Sequence, residues 1–293
     1  MKQWVVLSGK GGTGKTTVAA ALAHLAAQEL RLVLADADVD AANLELLTAP
    51  QVQEAHQFSG ARVAAIDASR CTGCGLCAGA CRFSAVVCEG GCRVDAIACE
   101  GCAACTYVCP AQAIAMVDWP SGEWFRSDTR FGPLFHARLF AGQENSGKLV
   151  TQVKQSARLL ARQDGADLLL VDGPPGIGCP AIAAMSGADL ALMVVEPSVS
   201  GVHDLRRILA TARHFGVQAA ICLNKADINP AQAAAIAGVG AAEGVPVVGL
   251  VPFDRAVVEA LVQRRPVTEQ GPGAAADALR GLWEALRTSM LSA

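Results

Sequence analysis

Two residue patterns in this chain can do chemistry, and they suit different partners. The first is Gly9-Lys10-Gly11-Gly12-Thr13-Gly14-Lys15-Thr16, which meets the G-x4-G-K-[ST] pattern at every position. Glycines let backbone N–H groups converge on phosphate oxygens, and a helix opening at this point adds its positive end. Lys15 then neutralises β- and γ-phosphate charge, and the Thr16 hydroxyl reaches a Mg²⁺ ion. The second pattern is a pair of cysteine runs. Cys71, Cys74, Cys77 and Cys81 recur as Cys99, Cys102, Cys105 and Cys109, with the same spacing and an offset of 28 residues. Ten of the twelve cysteines lie between Cys71 and Cys109. Such crowding fits a metal cluster better than a secreted disulfide scaffold, so a reducing, cytoplasmic setting is expected.

The elements that must position these groups read as α/β. An apolar strand over 4–7 feeds the Gly-rich turn, a helix follows over 15–28, and a second strand over 31–35 ends at Asp36. Continuous apolar strands return at 168–171, 190–195, 218–223 and 245–251, as expected when both sheet faces are covered. Helices are expected between them at 149–163, 202–215 and 230–243, with 254–264 and 274–290 closing the chain. The expected fold is a doubly wound, mostly parallel sheet interrupted by a small cysteine module. The bounds are 1–59 and 119–293 for the nucleotide-binding domain and 60–118 for the insert. Six of the thirteen aromatics lie between Trp119 and Phe140, so 119–142 reads as a hairpin lid that packs the module onto the sheet or also docks a partner.

Composition sets further bounds. The 293 residues are 52% hydrophobic and 17% charged, ample for a buried core and too apolar for a disordered chain. A net charge of −3 lacks the basic excess of a dedicated nucleic-acid binder, so no nucleic-acid partner is expected. No apolar run approaches the roughly 18 residues of a membrane span, and no stable membrane insertion is expected. Met1-Lys2-Gln3 leads straight into a strand, unlike a secretory signal.

Lys10 to Thr17 reads K-G-G-x-G-K-T-T, which resembles the deviant phosphate loop of the MinD/ParA/nitrogenase-iron-protein class. The resemblance implies ATP and ADP as ligands, held by Gly9, Gly11, Gly12, Thr13, Gly14, Lys15, Thr16 and Thr17. It implies that Lys10 crosses a dimer interface to the partner's nucleotide, so that ATP binding drives dimerisation, with a second copy or a related ATPase. Asp36-Ala37-Asp38-Val39-Asp40 and Asp172-Gly173-Pro174-Pro175-Gly176 resemble the class's two switches. Carboxylates at the C-terminal ends of parallel strands sit where such a fold binds ligands. Asp38 is expected to polarise the attacking water, with Asp40 the alternative base and Asp36 and Asp172 nearer the Mg²⁺. Asn224-Lys225-Ala226-Asp227 and Val251-Pro252-Phe253-Asp254 follow successive strands, where the class holds the purine. Asn224, Asp227, Pro252 and Asp254 are therefore the base-binding candidates, with the Asn224 amide suited to reading a base edge.

Each cysteine run resembles the bacterial ferredoxin arrangement, in which the fourth cysteine serves the other cluster. That resemblance implies two [4Fe–4S] clusters, one on Cys71, Cys74, Cys77 and Cys109, the other on Cys99, Cys102, Cys105 and Cys81. Pro110 follows Cys109 as the pattern expects, whereas Arg82 follows Cys81, which leaves that turn less constrained. Zinc on paired Cys-x2-Cys units is the weaker alternative. Cys88 and Cys92 are expected to be loop or core thiols, and Cys179 and Cys222 free thiols.

Together the motifs resemble MinD-superfamily P-loop ATPases with an inserted ferredoxin domain; Glu144–Leu149 and Val195–Leu205 join the resemblance. Three functions follow as expectations. The first is a slow Mg²⁺-dependent ATPase that gates electron passage through the clusters to a redox partner. The second is an Mrp-like iron–sulfur carrier serving an acceptor protein, though no late Cys-x2-Cys pair follows Cys109. The third is a MinD- or ParA-like positioning ATPase. The tail 282–291 has an apolar face but little basic charge, so it reads as a core helix and not a membrane-surface one.

Overall fold

The computed structural model describes residues 1–143 and 147–288. Of the Glu144–Leu149 motif only Gly147 to Leu149 fall within the described residues, and the expected helix end at Met290 lies outside them.

The chain opens with β1 (Lys2–Ser8), α1 (Lys15–Ala26), β2 (Leu32–Asp36), a short α2 (Leu44–Thr48) and β3 (Gln51–Phe58). The cysteine-rich stretch holds β4 (Ala61–Ile66), α3 (Leu76–Ala80), β5 (Val86–Cys88), β6 (Cys92–Val94), α4 (Ala104–Tyr107) and β7 (Ile114–Trp119). Then come β8 (Gly122–Thr129), β9 (Gly132–Leu139), α5 (Lys148–Gln163), β10 (Leu168–Pro175), α6 (Cys179–Met185) and β11 (Leu190–Val195). The chain closes with α7 (Val199–His214), β12 (Gln218–Asn224), α8 (Pro230–Glu243), β13 (Val247–Val251), α9 (Arg255–Val262) and α10 (Ala274–Leu286).

Nine strands form one sheet in the order β13-β12-β11-β1-β10-β2-β9-β8-β3. From β13 to β9 the strand pairings are all parallel. The reason is visible in the strands: β1, β2, β10 and β11 are buried nearly end to end, so helices must cover both faces. Alanine lets α1 sit close to the sheet, with Ala19, Ala20, Ala21 and Ala23 fully buried. The apolar face of α10 closes the same core. Leu279, Leu282, Trp283 and Leu286 are buried, and the Trp283 ring lies 6.0 Å from that of Trp4.

The expected lid over 119–142 is instead the edge of this sheet. β8 and β9 form a hairpin between β2 and β3. Its aromatics pack within the sheet layer: His56 stacks on Trp124 at 4.1 Å, and Trp124 faces Phe135 at 6.4 Å. Arg130, at the hairpin turn, donates to the Leu47 carbonyl at 2.8 Å and to Glu269 at 2.7 Å. β3 is an edge strand exposed along almost all its length, and it escaped the sequence reading because it carries no apolar pattern.

Two compact units are distinguishable. One comprises Met1–His56, Trp124–Arg138 and the described residues after 146; the other is Gln57–Glu123 with the segment from Leu139. In the second unit β4 pairs antiparallel with β7, from Ala61↔Trp119 to Ile66↔Ile114, and β5 with β6. The 28-residue repeat of the sequence recurs in its backbone. Left-handed φ angles appear at Gly73 (70°) and Gly101 (65°), at Gly75 (74°) and Ala103 (62°), and at Ser84 (53°) and Gln112 (48°). Ala103, Ser84 and Gln112 adopt this conformation without being glycine, which an L residue does only under constraint from its surroundings.

Candidate functional site

The phosphate loop leaves the C-terminal end of β1 and becomes α1 at Lys15, so the free N–H groups of the first helical turn face the loop. Gly14 caps the helix at φ 93°, and a Cβ there would lie 2.3 Å from Asn224 Nδ2, so both dihedral and space require glycine. Lys15 is buried, with its Nζ 3.9 Å from Asp38 Oδ2. Thr13 is buried and Thr16 and Thr17 follow within the first turn of α1.

The switch aspartates converge by register. Asp36 on β2 and Asp172 on β10 are direct partners across adjacent parallel strands, and both are fully buried. Their environments differ. Asp36 Oδ1 accepts from Asp38 N at 3.1 Å, and Oδ2 accepts from Asn43 N at 3.1 Å and Leu44 N at 3.0 Å. Asp36 therefore shapes the first switch and the start of α2. Both oxygens of Asp172 are buried and neither makes a hydrogen bond of good geometry, though the Thr16 hydroxyl stands close enough to act on the carboxyl. Burial pushes the Asp172 carboxyl up to about 7; Thr16 and Lys15 pull it down and Asp38 adds to the rise. Burial, then the Asp172 charge, likewise raises Asp36. Burial also raises Asp38, against the pull of Lys15 and with a push from Asp40. Asp40 is exposed at the end of the switch.

Lys10 is engaged inside its own chain. It forms an ion pair with Glu196 and donates to Ser198 Oγ at 3.3 Å and Ser200 Oγ at 3.2 Å. Glu196 also holds Lys225 at 3.3 Å, and Lys225 Nζ donates to the Gly12 carbonyl at 3.3 Å. Burial raises the Glu196 carboxyl, but the hydrogen bonds from Lys10 and Lys225 carry it below its ordinary value. Sequence reasoning noted Glu196 only as part of a family-like stretch. Its double pairing needed the fold, because 186 residues separate it from Lys10.

The base-binding candidates gather beside the loop. Gly12, Gly14, Thr17, Asn224, Pro252 and Asp254 line one cavity with Val251, Phe253, Val257 and Val258. The polar side chains among them also have partners inside the protein. Asn224 Nδ2 donates to the Thr13 carbonyl at 2.8 Å, and its Oδ1 accepts from Lys225 N at 3.0 Å. The amide therefore braces the phosphate loop, with both ends engaged. Asp254 caps α9 by accepting from Ala256 N at 2.9 Å and ties in Ala275 N at 3.1 Å. Asp227 accepts from Phe253 N at 2.7 Å. These three groups fix the loops, and beside them Val251, Pro252, Phe253, Val257 and Val258 give the cavity an apolar wall.

In the second unit, two pockets divide the cysteines. One is lined by Cys71, Cys74, Cys77 and Cys109, with Cys92 beside them. The other is lined by Cys81, Cys99, Cys102 and Cys105. Each cavity thus takes three cysteines from one run and the fourth from the other. The two crossing turns match: Ala85 N donates to Cys81 Sγ at 3.3 Å, and Ala113 N to Cys109 Sγ at 3.3 Å. Arg82 in place of proline therefore leaves the Cys81 turn no less defined. Cys77 and Cys105 are buried, which raises their thiols. One expectation fails outright: Cys88 and Cys92 are not free thiols but a disulfide across the last register pair of the β5–β6 hairpin. The other ten cysteines are free, Cys179 exposed and Cys222 buried, its thiol pushed up to about 12 by burial.

The model of the CbiA family, the CobQ/CobB/MinD/ParA nucleotide binding domain, matches residues 4–267. The chain belongs to this family. It is a nucleotide-binding ATPase of the MinD/ParA kind. An uncharacterized protein of Methanocaldococcus jannaschii is 35% identical over 224 residues, 76% of this chain and 78% of its own. An uncharacterized ATP-binding protein of the same organism is 26% identical over 268 residues, 91% of this chain and 80% of its own. Among solved structures, the cell division ATPase MinD of Pyrococcus furiosus superposes with a TM-score of 0.59 at 20% identity, covering 98% of both chains. MinD of Pyrococcus horikoshii, complexed with Mg-ADP, gives 0.60 at 18% identity over 99% of this chain and 97% of that one. The MinD/ParA fold shared with these proteins puts the phosphate loop and both switch aspartates at one end of the sheet.

Proposed function

We propose that this MinD/ParA-type ATPase couples ATP binding and hydrolysis to electron passage through two [4Fe–4S] clusters toward a partner protein. The observation that carries the redox half is the crossed grouping of cysteines into two pockets. Eight thiols from two runs, sorted three plus one and three plus one, suit two four-cysteine clusters. Zinc needs only paired Cys-x2-Cys units and gives no reason for the crossing. Cys71, Cys74, Cys77 and Cys109 would hold one cluster, and Cys99, Cys102, Cys105 and Cys81 the other. A cluster so held supplies one-electron chemistry.

On the nucleotide side, the chain's own groups fit ATP with Mg²⁺. Lys15 provides a buried fixed charge for the β- and γ-phosphates, and the loop N–H groups surround them. Asp172, a buried carboxylate whose close polar neighbour is the Thr16 hydroxyl, is the group best suited to the cation's shell. Asp36 acts one step back by holding the switch in place. Asp38, 3.9 Å from Lys15, is the candidate to orient and polarise the attacking water, with Asp40 the alternative. The base would lie against the apolar wall of Pro252, Phe253 and Val257.

Dimerisation through Lys10 rests on the family resemblance. In the single chain Lys10 is held by Glu196, so reaching a partner's nucleotide requires exchanging that carboxylate for phosphate. Coupling has a covalent route. β9, the second strand of the hairpin that follows the cysteine-rich stretch, lies beside β2, with Leu34↔Leu134 and Ala35↔Phe135 in register one residue before Asp36. His136 on β9 also meets Glu45 of α2 at 2.9 Å and Ser127 of β8 at 2.9 Å.

Anaerobic purification tests the proposal. About eight iron and eight sulfide per chain are expected, with cluster reduction or reoxidation rates that change on adding ATP. Zinc in place of iron would end the redox reading, and rates indifferent to ATP would end the coupling.

A further inference from the structure

The Cys88–Cys92 disulfide has no part in the function proposed above, and its surroundings are unusual. It is the one bonded pair among twelve cysteines, and it lies in the same unit as the eight candidate ligands. The sulfurs of Cys77, Cys88 and Cys92 all lie within 4.8 Å of one another. Cys92 itself lines the cavity shared by Cys71, Cys74, Cys77 and Cys109. Both bonded cysteines pack against the small core around Cys77, yet both remain half-buried, and the Glu89-Gly90-Gly91 loop that joins them is exposed. A structural staple gains little here. The loop it closes spans only 4 residues and is already held by the β5–β6 pairing, and the chain-entropy gain grows with loop length.

We propose that Cys88 and Cys92 form a dithiol/disulfide couple that exchanges electrons with the iron–sulfur centres, so that the unit handles electrons in pairs as well as singly. The inference rests on the cluster reading given above. In the reductive direction the disulfide takes up two electrons and two protons. Its S–S bond breaks and two S–H bonds form. One electron is drawn from each of the two reduced centres, which are thereby oxidised, and the protons come from the solvent that reaches the exposed loop. The pairing of two one-electron centres with one two-electron couple balances without a further reductant. In a setting that keeps thiols reduced, a persistent disulfide is unusual, and those that occur there are mostly transient and catalytic or redox-sensing.

The test compares loaded wild type with the double variant Cys88→Ser/Cys92→Ser, both reconstituted anaerobically and matched for iron and sulfide. Reductive titration should consume about four electrons per chain in wild type and about two in the variant. Alkylation followed by peptide mass mapping should label Cys88 and Cys92 in reduced, loaded wild type. It should leave them unlabelled in the same protein before reduction, and in cluster-free protein given the same brief reductant exposure. Equal electron uptake at full iron content would overturn the couple while leaving the clusters in place. So would labelling of both cysteines before reduction, or equally in cluster-free protein. If neither protein binds iron and sulfide, the cluster reading itself falls, and this inference falls with it.

Discussion

The nucleotide end of the sheet and the cysteine unit are built on opposite plans. Around the phosphate loop nearly every polar side chain is engaged with another part of the protein. Lys10 holds Glu196, Asn224 braces Thr13, Asp254 caps α9, and Asp36 gathers three N–H donors. The Asp172 carboxyl and the Thr13 hydroxyl are the buried exceptions, left without a hydrogen-bond partner. In the cysteine unit the backbone does the positioning, through repeated left-handed turns and N–H···S bonds, and eight sulfurs are left to face two cavities. A site for a mobile ligand that comes and goes is served by groups that have somewhere else to bind. A site for a resident cofactor is served by ligands with no competing partner inside the protein.

The sharpest way to break this contrast is to damage one region and measure the other. Lys15→Ala removes the buried countercharge. We expect ATP binding to be lost and hydrolysis to fall by at least on the order of 10²–10³-fold, with iron and sulfide per chain unchanged. Iron loss in this variant would mean that the two regions do not stand independently. Cys109→Ser should cost the centre formed with Cys71, Cys74 and Cys77, and Cys81→Ser the centre formed with Cys99, Cys102 and Cys105. Paramagnetic spectra showing the damage confined to the mutated cysteine's own run would refute the crossed grouping.

The buried Asp172 carboxyl makes a pH prediction. Its folded-state value near 7 lies above the ordinary carboxylate range, so at intermediate pH the nucleotide-free folded chain keeps a proton that the unfolded chain has released. The stability this contributes is full below about pH 4 and is lost as pH rises through about 7. Mg²⁺ must displace that proton, so its affinity should fall about tenfold per pH unit below about 7. Calorimetric titration of Mg²⁺ across that range checks it, and an Asp172→Asn variant should flatten the dependence. Smaller effects follow for groups with structural partners. Asp254→Ala should cost about 0.5–2 kcal/mol of stability through the lost cap, with ATP affinity changed mainly by loop loosening. Thermal melts with and without nucleotide separate the two. Glu196→Gln should ease Lys10 off its intrachain partner. A half-exposed pair of this kind is worth about 0.2–1 kcal/mol, so the ATP-dependent dimer should tighten no more than about fivefold in sedimentation.

How much of this was legible in the sequence follows the same divide. The cysteine spacing carried the crossing, because the chemistry of four-thiol sites repeats as a local pattern. The phosphate loop and switch aspartates were legible as places, since each sits at the end of an apolar strand. Which atoms were free was not. The Asn224 amide looked available to a base, and only the fold shows that it spans to Thr13. Asp36 and Asp172 looked equivalent, yet register partnership put both in the interior while Asn43 and Leu44 reached just one of them. β3 and α2 left no periodic signal because one is exposed and the other is 5 residues long. The Cys88–Cys92 bond had a faint signal in two cysteines flanking Gly90-Gly91. The density of candidate metal ligands around it masked that signal.

The antiparallel neck of the cysteine unit bears on how the large sheet closes. β3 and β8 are neighbours in that sheet, but the chain between them runs from Phe58 to Gly122. Pairing Ala61 with Trp119 shortens the open excursion to the few residues on either side, and Ser121 N then donates to the Phe58 carbonyl at 2.8 Å. By the logarithmic cost of loop closure, replacing about 60 free residues with about four saves roughly 2 kcal/mol. The edge of the ATPase sheet thus inherits its stability from the neck of the insert. A chain whose neck is loosened should show faster amide exchange first along β3, a strand that itself carries no cysteine.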